Sequence, residues 1–118
     1  MTVTTTDALD LLPLTPVAFE ILLSLSGEDR HGYAIMRAVD LRTEGRTTLH
    51  AGSLYRALAR LVDSGLIEEV IAPPDDGADE RRRYYQLTGL GRQAGVAEAQ
   101  RLESQVGAAR DFGLLEQT

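Results

Sequence analysis

The 118-residue chain contains no cysteine, no tryptophan and only two phenylalanines. Without cysteine it can form no disulfide, no thiolate nucleophile and no Cys-type zinc site. Its two histidines, His31 and His50, have no HExxH spacing and make a poor metal site by themselves. Each stands just before a helix, where a capping or structural role suits it. The shortage of large aromatics leaves a flat aromatic ligand few stacking partners. No apolar run is long enough to span a bilayer, and "MTVTTTDALD" lacks the basic, then apolar, then small-residue order of a signal peptide. The expected location is therefore the cytoplasm. "LSLSG", around Ser24 and Ser26, is not a G-x-S-x-G elbow, and Gly89, Gly91 and Gly95 are not followed by the Lys and Ser/Thr of a phosphate loop. No catalytic set, metal site or cofactor is expected.

Charge is present but unevenly distributed. The formal net charge is -6, and all twelve basic residues are arginine. Residues 37–60 carry five arginines against two acids, and residues 81–92 carry four against none, whereas residues 61–80 carry seven acids and no base. Two cationic islands in an acidic chain imply a local electrostatic task. Arginine suits one, because its planar fork binds phosphate or a guanine edge through two parallel hydrogen bonds. The second island follows an acidic loop, "DDGADE", and reads "RRRYYQL".

Periodicity places these islands on elements. Residues 1–14 read as a flexible N-terminal extension with one helical turn in "DALDLLPL". Thr15 and Pro16 open a buried helix that Gly27 ends. His31 and Gly32 open a second helix, running to about Leu41, with Tyr33, Met36 and Val39 on one stripe. "RTEGRTTLH" predicts a turn and a short extended piece. A third helix spans 51–63: Leu54, Leu58, Leu61 and Val62 form its apolar stripe, and Ser53, Arg56 and Arg60 lie opposite. Two strands, "LIEEVIA" and "RRRYYQL", form a hairpin around the polar loop, with one of the two tyrosines in the core. Thr88 caps a last helix running to about Leu115.

This order, mainly α with a small β-hairpin, is a winged helix-turn-helix over 15–88 followed by a C-terminal dimerisation helix over 89–118. Leu90, Ala94, Ala97, Leu102, Val106, Ala109 and Gly113 form a small-residue stripe on that last helix, which the domain itself is not expected to cover. Gly95, Gly107 and Gly113 predict a pliable end, since each glycine inside a helix costs about 1 kcal/mol against alanine. On the third helix, Gly52 and Ser53 allow close approach to DNA, with Arg56 and Arg60 one and two turns later. A merely solvated face is the commoner meaning of such residues. The wing island on the neighbouring hairpin tilts the balance toward DNA.

Three linked motifs carry a resemblance to the PadR-like transcriptional regulators over roughly residues 15–92. They are "HGY" at His31, Gly32 and Tyr33; a "GTLY…L.RL…GLI" pattern met by Gly52, Ser53, Leu54, Tyr55, Leu58, Arg60, Leu61, Gly65, Leu66 and Ile67; and an "R.YYRLT..G" return met by Arg82, Tyr84, Tyr85, Leu87, Thr88 and Gly91. The resemblance implies a dimeric repressor of double-stranded DNA, with the third helix in the major groove and the wing along the backbone or minor groove. By position, Ser53, Tyr55 and Arg56 become groove or phosphate contacts, and Arg82 and Arg83 wing contacts. A homodimer then reads an inverted repeat and is open to release by a small-molecule effector of unknown identity. Two departures stand out: His50 and Ala51 replace the family's Ser-Pro, and Arg56 stands where the family often has proline. A second reading remains open, an acidic winged-helix module that binds protein without DNA.

Overall fold

The computed structural model describes residues 8–71 and 83–116. Its elements are a 3-10 turn (Ala8–Leu11), α1 (Pro16–Leu25), β1 (Arg30–His31), α2 (Gly32–Arg42), α3 (Ala51–Asp63), β2 (Ile67–Ile71), β3 (Arg83–Leu87) and α4 (Gly89–Asp111). Helix entries follow capping chemistry. Thr15 accepts from Ala18 N–H, the His31 imidazole Nδ1 accepts from Ala34 N–H, and Thr88 Oγ1 accepts from Gly91 N–H at 2.9 Å. His50 stands at the start of α3 and makes no such side-chain bond.

Exits are equally local. At the end of α3, Gly65 takes a positive φ of 80°, its N–H bonds Val62 O, and Leu66 N–H bonds Leu61 O. This is a Schellman ending, which needs the left-handed conformation that glycine adopts without steric cost. It turns the chain directly into β2. Thr88 then ties the same corner to α4, with its hydroxyl 2.6 Å from Gly65 O and 3.0 Å from Leu66 O.

The core lies where α1, α2, α3 and the sheet meet. Ile21, Ile35, Leu54, Leu58, Leu66 and Ile67 are the largest side chains fully removed from solvent, each worth about 1.5–3 kcal/mol of transfer free energy. Periodicity misassigned part of this set. In α2 the buried residues are Gly32, Ile35 and Val39, while Tyr33 is 59% exposed. The 3.6-residue period fits Ile35 and Val39 as well as it fits Tyr33 and Met36, and only packing against α1 chooses between them. In α3, Val62 falls at the edge of the stripe and stays half-exposed beside buried Leu54, Leu58 and Leu61.

The sheet has three strands rather than two, in the order β1-β3-β2, all antiparallel. The two-residue β1 pairs Arg30 with Tyr85 and His31 with Tyr84, while β2 pairs Glu69 with Tyr85 and Ile71 with Arg83. The turn expected within 42–50 lies at 43–45, where it closes α2 with Glu44 at φ 54° and Gly45 N–H bonded to Asp40 O, and the extended piece, with His50 at φ -82° and ψ 155°, joins no strand. Tyr85 is the core tyrosine, and Tyr84 stays partly open.

Residues 8–14, within the expected extension, pack on the domain. Ala8 joins the hydrophobic core, the 3-10 turn packs on α4, and Leu14 N–H donates to Glu98 Oε1 at 3.2 Å. The last helix also ends earlier than expected, at Asp111. Gly113 lies outside it at φ 87°, in a second Schellman ending in which Leu114 N–H bonds Ala109 O at 2.8 Å. It therefore terminates the helix and does not loosen its interior.

Candidate nucleic-acid interface

Successive residues of helix α3 are turned by about 100°, so Gly52, Arg56 and Ala59 occupy the middle of its exposed arc, Tyr55 one edge, and Ser53 and Arg60 the other. Gly52, Ser53, Tyr55, Arg56, Ala59 and Arg60 are all exposed. The Arg56 side chain folds back along the first turn, with Nη2 3.5 Å from Ser53 Oγ and Nη1 close over Gly52. Among the described residues, no carboxylate forms an ion pair with Arg56 or Arg60. Their charge is available to a ligand.

The two edges of the arc face different surroundings. Tyr55 shares a hollow of about 510 Å³ with His31, Gly32, Tyr33, Arg83 and Tyr85. That hollow joins α3, the start of α2 and the foot of the wing. Gly32 makes the closeness possible, because a Cβ there would lie 2.5 Å from the Tyr55 hydroxyl. Pairing of β1 with β3 holds the His31 ring 5.5 Å from Tyr84, edge to face, and Arg37 lies 6.0 Å over the Tyr33 ring. His31, Tyr33 and Arg37 thus join the surface without having been singled out for it. The signal was the "HGY" motif, whose position beside the wing depends on a strand pairing that no local pattern announces.

Of the wing hairpin, β2 and the return strand from Arg83 onward are described; Arg82 and the acidic stretch Asp75, Asp76, Asp79 and Glu80 lie outside the described residues. Arg83 is exposed and lies 3.6 Å from Glu69 on β2. Exposed pairs of this kind contribute little, so the guanidinium can exchange Glu69 for a phosphate at small cost. Glu69 also accepts from the Tyr85 hydroxyl at 3.4 Å. Burial, chiefly, and the neighbouring Glu69 carboxylate push that phenol above its ordinary pKa.

Several arginines of the two islands serve the fold. Arg42 binds Glu20 on α1 through two nitrogens, which raises its pKa further. Arg92 donates to Ser26 O at 3.2 Å, and Arg30, which lies outside the islands, donates to Ser24 O at 2.6 Å; both satisfy carbonyls at the end of α1. The islands are therefore less cationic toward a partner than their arginine count implies.

The stripe on α4 is divided. Ala94 is wholly buried and Leu90 packs against the core, so the expectation that the domain leaves the stripe uncovered fails for these two residues. Ala97 and Leu102 are partly covered, Val106 is exposed, Ala109 is partly covered, and Gly113 sits beyond the helix. Beyond it, Phe112 and Leu114 are more than four-fifths exposed.

Three helices with a small antiparallel sheet, the third helix exposed beside the wing, define a winged helix-turn-helix protein. The chain belongs to the transcriptional regulator PadR-like family, whose model matches residues 21–97. It is thus a member of a family of transcriptional regulators, not of enzymes. Among solved structures it is similar to a PadR family transcription regulator from Clostridium difficile, at 25% identity over 81% of this chain and 96% of that one, with a TM-score of 0.70. A transcriptional regulator from Clostridium thermocellum is 26% identical over 81% of this chain and 88% of its own, with a TM-score of 0.69. A protein of unknown role from Lysinibacillus sphaericus is 32% identical over 72 residues, 61% of this chain and 64% of its own length. This chain therefore matches slightly under two thirds of that relative. No helix among the described residues is long and apolar enough to cross a membrane.

Proposed function

We propose that the protein is a DNA-binding transcriptional regulator that acts as a homodimeric repressor on an inverted-repeat operator. The observation that carries this reading is the exposed arc of α3, in which Arg56 and Arg60 have no carboxylate partner among the described residues and small Gly52 and Ser53 precede them. Such a face fits a major groove: the first turn approaches base edges and the guanidiniums reach guanine or phosphate. Arg83 and Tyr55, across the wing hollow, supply contacts on the flanking backbone. Arg82 adds to the wing grip by its place in the sequence. Two-fold symmetry of the dimer requires two half-sites, with centres about 34 Å apart.

The test is binding of the full chain to duplex DNA, selected from a random pool, across a salt series. Selected sites with two inverted half-sites and a steep loss of affinity with salt support the reading. A flat salt response, or selection of nothing, overturns it. One observation favours the acidic protein-binding module instead, since Arg83 already faces Glu69; that module retains partner binding at salt concentrations that abolish phosphate contacts.

A further inference from the structure

On the other edge of α3, away from the wing, lies a hollow of about 540 Å³ between α3 and the segment leading into α1. Leu14, Val17, Leu49 and Leu61 wall it, and Arg56 and Arg60 stand at its rim. Among the described residues, no aromatic and no acidic side chain lines it. On a chain of net charge -6 this is an aliphatic recess, large enough for a small ligand, whose charged lining groups among the described residues are two guanidiniums, neither of them paired there with a carboxylate.

We propose that this hollow binds a medium-chain aliphatic carboxylate, with its chain against Leu14, Val17, Leu49 and Leu61 and its head group on Arg56 and Arg60. Each half of the ligand answers one half of the lining. An aliphatic tail gains from leaving water for an aliphatic wall, whereas a flat aromatic would find no ring to stack on. A carboxylate matches the guanidinium fork, and a neutral head group forgoes the charge-assisted hydrogen bonds. A phosphate alone would leave the recess empty of apolar contact. The inference rests on the DNA reading in one respect: Arg56 and Arg60 are the same cations assigned to DNA, so ligand and operator exclude one another. Bound carboxylate offsets one of the two positive charges and occupies both guanidiniums of the reading helix directly, so release of DNA needs no longer-range conformational relay.

The test titrates the full-length protein, without DNA, with hexanoate, octanoate and 1-octanol by calorimetry. Octanoate is expected to saturate one site per chain and to bind about fifteenfold tighter than hexanoate, at about fourfold per methylene. Octanol is expected to bind about tenfold or more weakly than octanoate. Ala57→Met, which fills the hollow from α3 without removing a charge, should abolish octanoate binding while circular dichroism and DNA binding stay as in the wild type. In the competition experiment, octanoate should lower operator affinity for the wild type and leave Ala57→Met unaffected. Equal affinity for octanoate and octanol, or unchanged octanoate binding in Ala57→Met, overturns the site. If octanoate binds as expected and no duplex is bound, the site stands and the DNA reading falls; salt-steep DNA binding without octanoate binding overturns the site and leaves the DNA reading standing.

Discussion

Leu14 and Glu98, 84 residues apart in the chain, are joined by a hydrogen bond from the Leu14 backbone N–H to Glu98 Oε1 at 3.2 Å. Glu98 is almost wholly buried, and Arg101 holds it in a two-pronged pair, at 3.0 Å and 2.6 Å. The carboxylate thereby fastens the strap before α1 to the face of α4. A buried carboxylate survives there because both of its oxygens are satisfied.

The Arg101 hydrogen bonds, with help from Leu14 N–H, hold the Glu98 carboxyl below its usual pKa against the opposing effect of burial. A lowered folded pKa means stabilisation that is present above the unfolded value and is lost as pH falls through the folded one. The wild type should therefore lose more stability than Glu98→Gln between about pH 5 and pH 3. At neutral pH, Glu98→Ala should cost about 2 kcal/mol. Thermal melts of the three proteins at several pH values check both, and parallel acid limbs would contradict the assignment.

Two glycines allow close approach, and their alanine variants should part company. A Cβ at Gly91 would fall on the backbone carbonyl oxygen of Leu66 and 2.9 Å from Leu87 Cδ1. Backbone cannot give way cheaply, so Gly91→Ala should destabilise by about 3 kcal/mol or more. A Cβ at Gly32 meets the outer end of the Tyr55 ring, a side chain that is half-exposed and able to swing aside. Gly32→Ala should melt within about 1 kcal/mol of the wild type yet bind DNA more weakly. Comparable melting losses for the two would show that Tyr55 is not free to move.

Arg56 and Arg83 should differ in kind. From the centre of the α3 arc, Arg56→Ala should relax preference at particular base positions, at about 1–3 kcal/mol of discrimination. From the wing, Arg83→Ala should weaken all sequences alike and flatten the salt slope by about 0.9. Selection with each variant, together with affinity at several salt concentrations, separates the two. Loss of specificity from Arg83→Ala alone would reverse the roles.

For the dimer, deleting α4 is a poor experiment, because Ala94 and Glu98 belong to the domain's own interior. A charge at Val106, which is exposed and partway along the stripe, leaves that interior alone. Val106→Glu should yield a folded monomer in sedimentation at concentrations where the wild type is dimeric, and should weaken operator binding more than tenfold as the second half-site is lost. A wild type that sediments as a monomer at micromolar concentration would end the dimer reading.

Much of the fold was legible because it is set by neighbours in sequence. The limits of α3, Ala51–Asp63, follow from the spacing of Leu54, Leu58 and Leu61 and the stop at Gly65. Thr15, His31 and Thr88 mark helix starts because a side-chain acceptor three residues before a free N–H is a local relation. The exposed position of Ser53, Arg56 and Arg60 follows from the same helical period.

What depended on distant partners was not legible. Arg30 and His31 become a strand only because β3 offers them an edge, and that pairing brings the start of α2 to the wing. Tyr33 and Ile35 compete for the buried side of α2, and contact with α1 decides. Arg42 and Arg92 look no different from Arg56 in sequence, yet Glu20 and the Ser26 carbonyl claim them. The chain alone determined its helices, their caps and the residue types on the reading face, because each depends on a period or on a bond spanning a few residues. Tertiary structure alone decided which arginines keep their charge for a partner and which close the fold, because a guanidinium pairs with whatever acceptor packing brings within reach.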